Sequence, residues 1–177
     1  AAQIYQPNLL IGEFHGPLTV AAPGRQPSLI VNWKLFQSSV RGTPARPERV
    51  SLVFDKPAVD GVNNGVVRTL LRADHAEIHG RMVDGSVSDH PVIEIALRLS
   101  RALTPDFRPA AVQPVDATVD LVLRGFNDFS PKPWHERFRQ MQANGGGIEV
   151  TQARMQQGET TAAGSGSVAI NANGRLQ

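Results

Sequence analysis

The chain has 177 residues, a formal net charge of +2 and no cysteine. This length is enough for one domain that buries roughly 70% of its extended surface, so no second domain is required. The lack of cysteine excludes thiol catalysis and cysteine-ligated zinc. Basic residues are spread along the chain without a dense run, so we expect no nucleic-acid partner.

The composition favours short strands over long helices. Aromatic residues make up only 6% of the chain, whereas 16 glycines and 13 prolines are available to punctuate turns. No segment approaches the roughly 20 consecutive apolar residues of a membrane-spanning helix. A leader or anchor removed ahead of Ala1 would leave no trace in this sequence.

Alternating apolar residues predict strands in the first third of the chain. Residues 9–11 and 18–20 flank Gly16 and Pro17, which predicts an opening hairpin. The next alternation predicts one half-buried strand through Leu29, Val31, Trp33 and Leu35. A further strand is marked by Val50, Leu52 and Phe54.

Period-two alternation is clearest in the middle of the chain. Residues 93–99 and 116–124 place apolar and polar side chains on opposite faces, as half-buried antiparallel strands do. In residues 70–83 the odd positions carry a polar stripe, and the Asp84-Gly85 turn follows. Loops are predicted at three linkers that are rich in Pro, Gly or Asn: residues 41–47, 59–65 and 104–114.

One helix is predicted, from Pro131 to Ala143. Ser130 is the expected N-cap, and Pro131 takes the first helical position, where a missing N–H is not needed. Asn144 and Gly145 supply a C-cap that tolerates positive φ. We expect the helix to pack on a face of the sheet through an apolar stripe of Trp134, Phe138 and Met141.

The three glycines after the helix are interpreted as a strand entry. They follow a helix and precede a strand, which is the reverse of the order in a phosphate-binding loop. In the next strand the apolar register slips at Gln152, which predicts a β-bulge. Residues 157–159 are predicted to form a turn, and a strand of small residues follows it. Asn173-Gly174 predicts one more hairpin.

Several blocks of the sequence resemble, in order, the bacterial domain-of-unknown-function family 2125 (DUF2125). They include Gly-Gly-Gly-Ile-Glu-Val at residues 145–150 and the glycine- and asparagine-containing stretch at residues 164–176. Earlier blocks lie at residues 5–8, 16–20 and 114–125, so the matching pieces extend over nearly the whole chain.

The resemblance implies a protein of Gram-negative bacteria that faces the periplasm. It implies an inner-membrane tether, formed by an N-terminal hydrophobic segment outside this chain, and a chain that is a fragment of a longer envelope protein. The family has no catalytic motif to carry over. The C-terminal stretch is also similar to AsmA-like envelope proteins, which are long β-structures associated with lipid traffic and outer-membrane assembly.

The sharpest chemical candidate is a metal site at His75, Glu77 and His79. On a strand these side chains project from one face at intervals of roughly 6.5–7 Å, and a bulge can bring two imidazoles and a carboxylate to one zinc ion. Arg81 continues the same stripe and would repel a cation. We therefore interpret the stripe as a solvated outer face and predict neither a metal nor a cofactor.

Other candidates for chemistry are also interpreted as structural. The carboxylates of Glu94, Asp116 and Asp120 alternate with apolar neighbours, as exposed strand residues do. The five histidines show no Ser-His-Asp spacing, although a triad assembled in space stays open. Phe129 and Trp134 near the helix start are interpreted as core anchors. We predict no catalytic residue.

These observations predict a mainly β (α+β) fold over residues 1–177, with one or two twisted antiparallel meander sheets and the helix on a face. Four apolar residues lie on the nominal outer faces of the strands: Ile30, Phe36, Val53 and Val122. They favour a second packed layer, and a lipid-facing groove or an oligomer interface is the alternative. We predict a non-enzymatic periplasmic cell-envelope protein that binds lipid or another envelope protein on a curved β-surface. A scaffold that oligomerises through its sheet edges, or a hydrolase of envelope polymers, is the alternative.

Overall fold

The computed structural model describes residues 4–6, 9–21, 28–43, 46–86, 91–105, 113–126, 128–130 and 132–168. These residues form 13 strands and one helix in two antiparallel sheets. In chain order the elements are β1 Ile4–Gln6, β2 Leu9–Phe14, β3 Leu18–Val20, β4 Leu29–Asn32, β5 Leu35–Thr43, β6 Arg46–Asp55, β7 Ala58–Asn63, β8 Val66–Arg72, β9 His75–Met82, β10 Val92–Ala102, β11 Val115–Arg124, α1 Trp134–Ala143, β12 Gly147–Gln157 and β13 Thr160–Val168.

The two sheets are successive parts of one meander. The larger sheet has nine strands in the order β1-β2-β5-β6-β9-β10-β11-β12-β13, and the smaller has four in the order β3-β4-β7-β8. Each strand of the smaller sheet continues directly from a strand of the larger one, because β2 leads into β3, β4 into β5, β6 into β7 and β8 into β9. Each of these joined pairs of strands forms one long segment, and the four long segments lie side by side in chain order. This order confirms the predicted mainly β meander with one helix.

The four long segments bend at the same level, along a line that we call the crease (residues 15–17, 33–34, 56–57 and 73–74). Backbone pairing continues through it, since the N–H groups of Lys34 and Lys56 donate to the carbonyls of Asp55 and Asp74 at 2.9 Å. The Asp74 carboxylate also lies 2.9 Å from Arg101 and 3.9 Å from the Lys56 ammonium. Hydrogen bonds and alternating charges thus hold the bend.

The second packed layer that the sequence favoured is absent from the described residues. There, only four hydrophobic side chains are buried, Ala73, Ile93, Ala102 and Met141, whereas a layer packed on the sheet would bury a whole face. The crease explains why Phe36 is not on an outer face. The alternation of side chains between the two faces shifts by one residue at Lys34. Trp33 therefore shares a face with Phe36, with ring centroids 5.6 Å apart, rather than with Leu35 as predicted.

Three further predictions for the first part of the chain were wrong. Residues 41–43 and 46–47, predicted as parts of a loop, belong to β5 and β6. β2 and β3 do not form a hairpin, because Gly16 and Pro17 carry the chain across the crease. β2 pairs instead with β1 and β5, and β3 with β4. Residues 59–65, predicted as a loop, form most of β7 and a tight turn in which Asn64 and Gly65 have φ of 49° and 78°.

The predictions for the later strands are confirmed. β10 and β11 contain the two clear alternations and pair along their length. The register of β12 against β13 shifts between Val150 and Ala153, where the bulge at Gln152 was predicted. A turn at Gly158 and Glu159 joins these strands. The hairpin predicted at Asn173-Gly174 lies outside the described residues.

The helix begins at Trp134 rather than at Pro131, and Ser130 is not its N-cap. Pro133 takes the N-cap position without a side-chain hydrogen bond. The residue before a proline is biased away from helical geometry, so Lys132 does not extend the helix toward Ser130. The predicted C-terminus is confirmed, since Asn144 is the C-cap and Gly145 has φ of 64°.

The helix is fastened to the segments that flank it. Arg137 donates to the carbonyls of Asp128 and Ser130 at 3.0 and 2.9 Å, and the Asn144 amide donates to the Gly125 carbonyl at 3.3 Å. Met141 is only 1% exposed. The side chain of Trp134 lies outside the described residues. Within the part of the chain that the structure describes, no helix is long and apolar enough to span a membrane.

Candidate binding face

One face of the larger sheet carries an almost unbroken apolar surface, which we call the apolar face. Side chains alternate across a strand, so register partners on neighbouring strands line up in rows on one face. Three rows define it: Phe14, Phe36, Phe54, Ala76, Leu99, Ala117 and Met155; Ser38, Leu52, Ile78, Leu97, Val119 and Ala153; and Leu10, Val40, Val50, Gly80, Ile95, Leu121 and Val150. Ser38 is the polar exception in these rows.

The first of these rows ends in an aromatic cluster beside the crease. The Phe36 and Phe54 rings stack with centroids 4.3 Å apart, and the Phe14 and Phe36 centroids are 5.2 Å apart. Trp33 meets Phe36 and Phe54 edge-on at 5.6 and 6.0 Å. The Trp33 indole N–H donates to the Phe14 carbonyl at 2.9 Å, so its polar atom is satisfied and the ring is left for apolar contact.

The apolar face is open. Among its described large side chains, Phe14, Leu10 and Met155 are 47–49% exposed, and Ile78 near the centre is 39% exposed. The helix, which we expected on a face, is seated at the end of β11 and β12 and leaves most of these rows accessible. In the adjoining row only Ile93 is buried, at 8% exposure.

The size of this face indicates a binding surface. The three rows cross seven neighbouring strands spaced about 4.8 Å apart, which is roughly 30 Å, and they cover roughly 20 Å along the strands. The apolar face is therefore on the order of 600 Å², at the upper end of the roughly 300–600 Å² that the largest apolar patch of a monomeric soluble protein reaches, and patches of this size are often functional. Side chains on such a face make few contacts until something covers them.

The opposite, polar face carries the predicted histidine stripe on β9. The Nε2–H groups of His75 and His79 donate to the two oxygens of Glu77 at 2.9 and 3.0 Å. A carboxylate only accepts, so each Nε2 carries a proton, and His79 Nδ1 shares a hydrogen bond of 2.8 Å with the Ser51 hydroxyl. These hydrogen bonds, first from His79 and then from His75, lower the pKa of Glu77.

This arrangement turns the candidate ligands toward one another. Each Nε2 that would bind a metal is occupied by its hydrogen bond to Glu77. In the described ranges, no group of three or more His, Asp or Glu side chains is placed to hold a metal ion. Arg81, which continues the stripe, is paired with Glu94 at 2.6 Å. The stripe acts as a hydrogen-bonded network on the half-exposed polar face.

The other predicted polar candidates do not converge on one point. Glu94 is held by Arg81, and Asp116 accepts the Arg101 backbone N–H at 2.8 Å. Asp120 lies four residues along β11 from Asp116, which is about 13 Å on an extended strand. Near the helix start, Phe129 meets Phe126 edge-on at 5.2 Å, a contact of the kind expected for an anchor.

Sequence reasoning missed the openness of the apolar face. The alternation identified its rows correctly, but an amphipathic strand looks the same whether its apolar side is covered or bare. One signal was available, because the predicted helix contributes a single apolar stripe and a nine-stranded sheet needs far more cover than that. The aromatic cluster was also missed, since its assembly depends on the phase change at Lys34.

Comparison with known protein families assigns the chain to one family. The family model described as "Uncharacterized protein conserved in bacteria (DUF2125)" matches residues 1–177, the whole chain. The chain therefore belongs to this family, as its sequence blocks predicted. Searches of curated proteins and of solved structures gave no significant match. The likeness to AsmA-like envelope proteins stays a prediction.

Proposed function

We propose that this DUF2125 protein is a non-enzymatic, periplasmic cell-envelope protein whose apolar face binds the acyl chain of a lipid. The tether to the inner membrane belongs to the proposal and lies in a segment outside this chain. The observation that carries it is the open apolar face, with Phe14, Ile78 and Met155 between 39% and 49% exposed. The lack of convergence among Glu94, Asp116 and Asp120 favours a binding role over a hydrolytic one.

An acyl chain suits this face better than a protein partner does. Protein interfaces are only about 56–65% non-polar and carry on the order of ten hydrogen bonds, so both surfaces need donors and acceptors. The three rows of the apolar face offer one polar side chain, Ser38. A lipid tail asks for no hydrogen bonds, and the rows give it a continuous hydrocarbon surface that begins at the aromatic cluster.

Trp33 provides a direct test, since its ring lies in that cluster. The chain has two tryptophans, so a Trp134→Phe background leaves Trp33 as the sole indole reporter. Vesicles of phosphatidylcholine with brominated acyl chains are the probe, because bromine quenches indole fluorescence on contact and the headgroup carries no net charge. We expect these vesicles to quench the fluorescence of Trp33, and we expect no quenching by vesicles of the same lipid without bromine.

Matched substitutions locate the binding surface. Ile78→Asn places an amide without a partner in the centre of the apolar face, which we expect to weaken lipid binding about tenfold. Val122→Asn makes a similar change on the polar face of β11 and should leave binding unchanged. Unquenched Trp33 fluorescence, or equal losses in the two variants, would contradict the proposal. A cytoplasmic location in cell fractionation would contradict its periplasmic part.

A scaffold that associates through its sheet edges is the second candidate. β13 forms one end of the larger sheet, and eight of its nine residues are exposed. Unpaired strand edges offer backbone groups to another strand. Analytical ultracentrifugation of the lipid-free protein distinguishes this candidate, which requires a concentration-dependent dimer. A monomer at every concentration would remove it.

A further inference from the structure

Three arginines face one another across neighbouring strands of the polar face. Arg41 on β5 is the register partner of Arg49 on β6, and Arg49 is the partner of Arg81 on β9. Directly opposed residues have Cβ atoms about 5 Å apart, and like charges in such pairs destabilise a sheet. A row of three positive charges is therefore an unfavourable arrangement that an added anion would relieve.

The protein itself neutralises only part of this charge. Arg81 is paired with Glu94, with Nη2 and Oε2 2.6 Å apart. In the described residues, no carboxylate lies within 4 Å of the Arg41, Arg49 or Arg98 guanidinium. Glu48 and Asp84 line a neighbouring hollow together with Arg41, Arg49 and Arg81, but in the described residues neither carboxylate forms an ion pair with these arginines. The unpaired guanidinium groups keep their donors available.

Arg49 and Arg81 of this row line one hollow together with Arg98, and we call it the arginine hollow. It has a volume of about 330 Å³ and is lined on β6, β9 and β10 by Arg49, His79, Gly80, Arg81, Glu94, Ala96 and Arg98. Three arginines and one glutamate give the lining a net charge of about +2 with neutral histidine, and the Glu77 carboxylate, which accepts from His75 and His79, lies just outside it as the register partner of Arg98. Guanidinium forks match phosphate oxygens and form bidentate, charge-assisted hydrogen bonds with them.

We propose that the arginine hollow binds a phosphate-bearing anion, with Arg49 and Arg98 as its main donors. Arg81 is oriented by Glu94 at the rim, and Arg41 adds positive potential along the row. A lipid headgroup and a soluble phosphate share this chemistry. The hollow lies on the opposite side of the sheet from the apolar face, so this site does not depend on acyl-chain binding there.

Two probes distinguish the sources. Calorimetric titration with inorganic phosphate measures a soluble anion, and co-sedimentation with phosphatidylglycerol vesicles, against phosphatidylcholine vesicles, measures an anionic headgroup. We expect the protein to bind at least one of these phosphate probes and to release it as salt is raised. Saturable binding of inorganic phosphate assigns a soluble ligand, and binding only to phosphatidylglycerol assigns a headgroup.

A charge-matched pair of double variants tests the residues. Arg49→Gln/Arg98→Gln should weaken binding by about tenfold or more, since two charge-assisted contacts are lost. Arg68→Gln/Arg139→Gln removes the same charge from exposed positions on β8 and α1 and should stay within about twofold of wild type. All four arginines are exposed, so the variants should fold, and Arg49→Lys/Arg98→Lys keeps the charge while losing the forks.

The outcomes separate this site from the acyl-binding proposal. No binding of either phosphate probe overturns the arginine hollow, whatever Trp33 quenching by neutral lipid shows. Equal losses in the two glutamine double variants also overturn it, because net charge alone would then account for binding. Loss confined to the Arg49 and Arg98 variants, with partial binding by the lysine pair, supports it.

Discussion

Substituting Gly146 by alanine tests how the helix is joined to the sheet. A Cβ at Gly146 would lie 2.1 Å from the Arg124 carbonyl oxygen and 2.8 Å from the Cα of Gly125. Both are backbone atoms at the end of β11, so neither can turn aside as a side chain would. A Cβ at the next glycine, Gly147, would have nothing within 4 Å, which makes Gly147 the matched control.

The expected cost follows from the shift that the new methyl group forces. Separation to ordinary contact needs more than 1 Å of backbone movement, because real Cβ atoms seldom come within about 3.4 Å of such neighbours. That movement strains the bond from the Gly146 N–H to the Met141 carbonyl, which is 2.8 Å long, and Met141 is the most buried side chain described. Overpacking costs about 1–3 kcal/mol and a lost hydrogen bond about 1, so we expect about 3 kcal/mol.

Thermal unfolding followed by circular dichroism measures this difference. For a domain of this size, 3 kcal/mol corresponds to a fall in Tm of about 6–12 °C. Gly147→Ala should stay within about 0.5 kcal/mol of wild type, since alanine also reduces the entropy of the unfolded chain. The reasoning is refuted if Gly146→Ala loses less than about 1 kcal/mol, or if both variants lose the same amount.

Two further predictions concern the aromatic cluster and the segment before the helix. Phe54→Ala should lower the free energy of unfolding by about 3 kcal/mol, because a half-buried ring and its stacking with Phe36 are lost. Phe14→Ala should lower it by about 1 kcal/mol, and denaturant unfolding of both variants would measure the difference. Hydrogen bonds from Lys132 and then Ser130 hold the pKa of Asp128 well below its usual range, so its contribution to stability is present at neutral pH and lost as pH falls below about 4. The stability gap between wild type and Asp128→Asn should therefore begin to narrow as the pH falls below about 4 and should keep narrowing at more acidic pH; a constant gap would contradict this.

Local sequence was sufficient for most strands but not for the crease. Alternation is a property of adjacent residues, so β10 and β11 were predicted from their own side chains. The crease instead requires that four segments, far apart in sequence, bend at one level and pair through the bend. Lys34 therefore looked like an outward residue of one continuous strand, and Gly16-Pro17 looked like a turn.

The candidate sites show the same division between local and non-local information. Spacing alone placed His75, Glu77 and His79 on one face, and the structure has them there. It did not predict that Glu77 would accept from both imidazoles, because that depends on rotamers and on Ser51 of the neighbouring strand. The arginine row was invisible in sequence, since Arg41 and Arg81 meet only through the register of three strands.

The thinness of the fold connects the two proposed sites. The described strands form a single bent layer, and the described apolar side chains that are buried are few: Ala73, Ile93, Ala102 and Met141. Hydrophobic stabilisation grows with the apolar area removed from water, so this layer gains most when its apolar face is covered. A bound lipid would supply that cover and, by binding the folded chain alone, would stabilise it by mass action. Ligand binding on one face and anion binding on the other would then both act on the stability of the same nine strands.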